Sequence, residues 1–114
     1  MLSGPVVNGD GIGKTYGCPT ANLSLRRSQV KLHSGVYAAT ATLNRELYKA
    51  ALVIQEKPWK VEVHLLDYQG PDFYGQHISI DPVQKVSEIE SYDSITELKE
   101  KITNDLALVR EFLQ

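Results

Sequence analysis

Apolar and polar positions alternate along the front two thirds of the chain, and the last quarter changes to a helical period. Residues 35–43 are rich in strand formers, 44–46 read as a turn, and 47–54 return as a second strand, which together predict a hairpin. Lys57 and Pro58 break that strand. The next strand is expected over 60–66, with Val61, Val63 and Leu65 on one face and Glu62 and His64 on the other, because strand side chains alternate. Residues 69–72 are a turn by composition. Residues 74–80 alternate again, with Pro82 expected to end the strand. Short strands also fit 5–8 and 21–25.

Ser94 and Glu97 have the spacing of a capping box, in which each side chain answers an orphan amide at a helix start. Behind it Ile95, Leu98, Ile102, Leu106, Val109 and Leu113 recur at spacings of three and four, one apolar helical face, while Lys99, Glu100 and Lys101 mostly decorate the other. Such a helix suits a cover over a barrel end or a sheet face. Several short strands with regular turns point to a small antiparallel barrel, which removes exposed sheet edges.

Composition narrows the class. The 114 residues make one domain, and 42% hydrophobic with 23% charged residues is a globular balance. The single cysteine, Cys18, excludes an internal disulfide and suits a reducing compartment. No signal-peptide or membrane-spanning pattern is legible, so the expected address is cytoplasmic. Residues 1–60 carry eight Lys and Arg against three acids, a balance of +5, and residues 61–114 carry four against eleven, a balance of −7. A basic front half suits phosphate, but the fold can equally mix the two halves again. No run of basic residues exceeds Arg26 and Arg27, which argues against general nucleic-acid binding.

Residues 9–22 hold the candidate chemistry. Gly9, Gly11, Gly13 and Gly17 allow sharp turns and close approach to a ligand. Gly13, Lys14 and Thr15 look like the end of a P-loop, but that spacing asks for glycine where Asn8 stands, and Gly17 and Pro19 would break the helix that must follow. The glycines alone fit a plain loop as well as a phosphate cradle.

Pro19, Thr20, Ala21 and Asn22, after this Lys-bearing loop, resemble the signature of riboflavin kinases. Gly35, Val36 and Tyr37 resemble that family's next strand start. Residues 61–68 resemble its glutamate-bearing strand, residues 72–75 the turn after it, and Tyr92, Asp93 and Ser94 with the helix carrying Asp105 its C-terminal end. The resemblance covers nearly the whole chain in order. It implies a mainly β fold, a six-stranded Greek-key antiparallel split barrel over about 4–82 with a C-terminal helix over about 94–113. It implies transfer of the γ-phosphoryl group of ATP to the 5′-hydroxyl of riboflavin, giving FMN and ADP, with Mg²⁺ as cofactor. No nucleic-acid or membrane partner and a monomer are expected.

The resemblance also assigns roles. Thr20 matches a metal-binding threonine, and Asn22, on the same side of an extended segment, would bond a phosphate or the metal's water; without the motif they read as a strand residue and a turn cap. Glu62 matches the catalytic carboxylate, which would orient the ribityl hydroxyl and accept its proton; spacing alone gives a solvated strand glutamate. Gly11, Gly13, Lys14 and Gly17 would face phosphates, and Tyr74 or Phe73 would line the nucleotide or flavin pocket. His64 reads as structural and Cys18 as a small buried hydrophobe.

Two stretches depart from the family pattern. Val53 and Gln55 stand where an asparagine and a glycine are usual, and the loop before Glu62 is cut short. Ser87 and Ile89 stand where an arginine and a glutamate are usual, on the flavin side. Three readings follow in order: an active riboflavin kinase with a trimmed flavin site, a kinase for another alcohol, or a non-catalytic binder of nucleotide or flavin. Family members are often fused to an FMN adenylyltransferase domain. With the family's first strand expected at 4–8, no such domain is expected here.

Overall fold

The computed structural model describes residues 2–7, 20–68, 75–89 and 94–113. The strands are β1 (Leu2–Val7), β2 (Thr20–Leu23), β3 (Gly35–Leu43), β4 (Glu46–Glu56), β5 (Trp59–Leu65) and β6 (His77–Ser87), followed by helix α1 (Ile95–Phe112). All pairings are antiparallel, and the order β1-β2-β5-β4-β3-β6 closes into a barrel through β1 and β6. The expected architecture of six antiparallel strands and one C-terminal helix is therefore present.

Alternation decides which side chains fill the barrel. Leu52, Ile54, Val61, Val63, Leu65, Ile78 and Ile80 point inward and are buried, as are Val6, Ala21 and Leu23. β3 and β4 are apolar on both faces for part of their length. Val36, Ala38 and Ala51 lie on the outer face in a second cluster with Leu66 and Val109, under α1. Ala38 and Ala51 are register partners, and their small side chains let the helix approach the sheet closely. The helix thus covers a sheet face rather than the barrel's open end.

Local chemistry fixes the turns. Asn44 and Arg45 have φ of 51° and 70°, the paired left-handed residues of a tight hairpin turn, and Glu46 already pairs with Leu43. Lys57 and Pro58 alone join β4 to β5. That short turn is tied down from the side: Trp59 Nε1 donates to the Leu25 carbonyl at 2.6 Å, and Arg27 pairs with Glu56 at 3.0 Å while lying 5.4 Å from the Trp59 ring centre.

Several boundaries differ from the sequence reading. β1 begins at Leu2 and β2 at Thr20, each earlier than expected. Pro82 does not end β6, which runs on to Ser87. Register shifts opposite Ala38/Ala39 and Val36/Tyr37 leave Val83 and Val86 as extra residues, so β6 bulges twice and bends around the barrel. A bulge beside Pro82 accommodates a residue that cannot donate to the ladder. At the helix start, Ser94 Oγ accepts from the Glu97 amide at 3.2 Å. Among the described residues no helix is long and apolar enough to cross a membrane.

Candidate active site

Register builds the site. Asn22 pairs with Glu62, Glu62 with Val53, Val53 with Val36, and Val36 with Ser87. Directly opposed residues share a face, so one row runs across β2, β5, β4, β3 and β6 on the outside of the barrel. The neighbouring row begins with Thr20 opposite His64 and continues through Ala51 and Ala38. Residues 40 positions apart in sequence, Asn22 and Glu62, thereby become neighbours.

A cleft of about 280 Å³ lies between this face and α1. Val36, Val53, Ile89, Leu98 and Ile102 supply its apolar surface. Gln55, Lys60, Glu62 and His64 edge it on the β4–β5 side, and Glu88, Lys101 and Asp105 on the other. The apolar stripe of α1 is divided accordingly. Leu106, Val109 and Leu113 pack on the sheet, and Leu98 and Ile102 overhang the cleft.

Glu62 is the central carboxylate. Its side chain is 15% exposed, and Lys60 Nζ lies 3.2 Å from Oε1 while His64 Nε2 lies 4.0 Å from Oε2. A cation two residues before it and a ring two residues after it, all on one face, hold the carboxylate at the cleft wall. His64 is itself buried. Across the strand pair, Asn22 Oδ1 is buried without a hydrogen-bond partner among the described residues. An oxygen so placed costs folding free energy unless a ligand, ion or water answers it. No group of three or more His, Cys, Asp or Glu close enough to hold a metal occurs among the described residues.

At the other edge Lys101 donates to Ser87 Oγ and to Asp105 Oδ2. Lys101 and Asp105 are largely buried, at 13% and 12% side-chain exposure. Nearby, Lys85 pairs with Glu88 at 2.7 Å, and that hydrogen bond raises the Lys85 pKa. Gly35, with φ of 153°, leaves room for the Lys85 chain, since a Cβ there would fall 2.5 Å from Lys85 Cε.

The structure thus brings Asn22 and Glu62 together and sets Thr20 beside them in register. Gly11, Gly13, Lys14, Gly17, Phe73, Tyr74 and Cys18 lie outside the described residues. The positions that depart from the family pattern gather at the cleft: Val53, Gln55 and Ile89 line it, and Ser87 holds Lys101. Lys101 corrects the sequence reading. It borders the apolar stripe beside Ile102 and turns into the cleft rather than out to solvent. Its spacing of four from Asp105 was the available signal.

Comparison with known proteins identifies the family and agrees with the fold. The flavokinase family profile, described as riboflavin kinase, matches residues 1–113. The bifunctional riboflavin kinase/FMN adenylyltransferase of Escherichia coli (strain K12) is 39% identical over 118 residues, covering 97% of this chain and 37% of that protein. The chain therefore spans little more than a third of the length of that relative. The crystal structure of riboflavin kinase from Trypanosoma brucei superposes with a TM-score of 0.72 at 29% identity, covering 99% of this chain and 78% of that one. A protein from Streptococcus pneumoniae described as a macrolide-efflux protein superposes with a TM-score of 0.81 at 26% identity, covering 95% of this chain and 37% of that one. With the family profile matching residues 1–113, the chain belongs to the riboflavin kinase family.

Proposed function

We propose that this chain transfers the γ-phosphoryl group of ATP to the 5′-hydroxyl of riboflavin, yielding FMN and ADP. The observation that carries the reading is the row Asn22, Glu62, Val53 and Val36, which sets a carboxylate between a buried unanswered oxygen and an apolar cleft. Phosphoryl transfer needs little covalent chemistry from the protein; it needs positioned phosphates, charge neutralisation and an oriented nucleophile. The apolar floor suits a flat ring, and the ring's ribityl chain would run toward Glu62. Glu62 orients the terminal hydroxyl and accepts its proton as the new O–P bond forms. The bond between the γ-phosphorus and the bridging oxygen breaks, and ADP leaves with that electron pair.

The donor set fits a hard cation. Asn22 Oδ1 is a neutral oxygen awaiting a partner, and the Thr20 position adjoins it in register. Thr20 and Asn22 would hold Mg²⁺ together with phosphate oxygens, and the ion would neutralise charge on the transferring group. By the family motif, Gly11, Gly13, Lys14 and Gly17 would supply amides and a cation for the phosphates, and Tyr74 would serve the nucleotide side.

A second reading rests on the altered cleft. Val53, Gln55, Ser87 and Ile89 reshape the flavin side, which suits a different alcohol acceptor. One assay separates the two. The chain is incubated with ATP, MgCl₂ and riboflavin, and FMN is resolved by chromatography, with a parallel panel of small polyols. FMN formation that EDTA abolishes is expected. ADP release with a polyol but no FMN would transfer the assignment to that acceptor, and no ADP with any acceptor would contradict kinase activity.

A further inference from the structure

The cleft has two polar ends, and the mechanism uses one of them. Glu62 stands at the first end, and Lys101, held by Ser87 and Asp105, stands at the second. Between them the register places Val53 and Val36. Glu62 and Ser87 are three strand steps apart, on the order of 14 Å along the sheet at ~4.8 Å per step. A ligand that offers its terminal hydroxyl to Glu62 must cross an apolar floor to meet the ammonium. Its ring, not its chain, therefore lies at Lys101.

We propose that Lys101 is a specificity residue that donates a hydrogen bond to the carbonyl edge of the ring. This rests on the riboflavin kinase reading and extends it. An ammonium carries three donors; among the described residues Ser87 Oγ and Asp105 Oδ2 take two, and because Lys101 lines the cleft the third is within reach of a ligand acceptor there. Burying a cation is costly, and Asp105 offsets that cost while fixing its position. Riboflavin's ring is apolar over its dimethylbenzene part and carries two carbonyls on the opposite part. That polarity matches a floor of Val53 and Val36 ending in a donor. Ser87 and Asp105 are positioning residues in this account.

The test uses the whole chain and two ligands: riboflavin as substrate, and lumichrome, the ring without a ribityl chain, as binding probe. Lys101→Met is expected to raise the riboflavin KM and weaken lumichrome binding by about tenfold or more, the usual scale for a hydrogen bond to a charged donor. The KM for ATP and kcat should stay within about threefold, since the interaction is uniform between bound and transition states. Lys101→Arg should recover part of the lumichrome affinity, and Glu62→Gln should bind lumichrome like the wild type while losing turnover. Wild-type lumichrome affinity in Lys101→Met overturns the inference, as does an equal loss for riboflavin and ATP. If Lys101→Met fails to fold, Ser87→Ala serves in its place, and unchanged lumichrome binding there overturns it equally. Failure of the wild type to make FMN would instead refute the kinase reading on which the inference stands.

Discussion

Asn22 and Glu62 show how two ordinary strand residues come together in the proposed site. Each alone reads as solvated or as a cap, and their meaning comes from facing each other across β2 and β5. The sequence resemblance singled out both residues, but the pairing was not legible, because it joins segments far apart in the chain. Asn22→Ala tests the unanswered oxygen. Its Oδ1 has no partner among the described residues, so stability in urea denaturation should stay within about 1 kcal/mol of the wild type or rise. The Mg²⁺ concentration needed for half-maximal FMN formation should rise by about 10–100-fold, the usual effect of losing a supporting ligand. A second residue-scale pair lies outside the site. Arg110 donates two hydrogen bonds of 2.9 Å to Asp67, and the guanidinium lowers the Asp67 pKa. A depressed carboxylate pKa contributes stability above its unfolded value and loses it as pH falls through the folded value. The Tm difference between wild type and Arg110→Met should therefore be present near neutral pH and close in acid below the usual carboxylate range.

At the scale of elements, periodicity was a good guide to type and a poor one to limits. The β3–β4 hairpin was legible because Asn44 and Arg45 interrupt two strand-forming runs. The extension of β6 past Pro82 was not, because a bulge depends on the partner strand rather than on the sequence around the proline. The helix stripe was legible as one face, but its division was not. Leu106, Val109 and Leu113 pack, while Leu98 and Ile102 border the cleft, and that split is set by where Ala38 and Ala51 let the helix sit down. The role of Lys101 was not legible for the same reason: a lysine beside a stripe reads as solvated until the helix is placed. Ala51→Leu tests the close contact. Overpacking under Val109 should cost about 1–3 kcal/mol by denaturant unfolding.

For the whole molecule, closure explains both the stability of the sheet and the location of the chemistry. A closed barrel leaves no free sheet edge among the six strands, so function falls to the outer face and its helix. The uneven charge of the two chain halves is mixed again by topology. β5 lies between β2 and β4, and β6 lies between β3 and β1. Strands from the +5 and −7 parts of the linear sequence are therefore interleaved in the sheet. The family and its barrel were legible because ordered motifs span the chain; the altered cleft was legible only as departures, and folding gathers them around one cavity. In the proposed reaction Glu62 acts on the acceptor hydroxyl rather than holding the ring. It is tested by FMN formation in Glu62→Gln alongside riboflavin binding followed by flavin fluorescence. The account predicts near wild-type riboflavin affinity with turnover lowered by about 10²–10⁴-fold, the usual contribution of a positioned acid–base group. Turnover within about threefold of the wild type would contradict it.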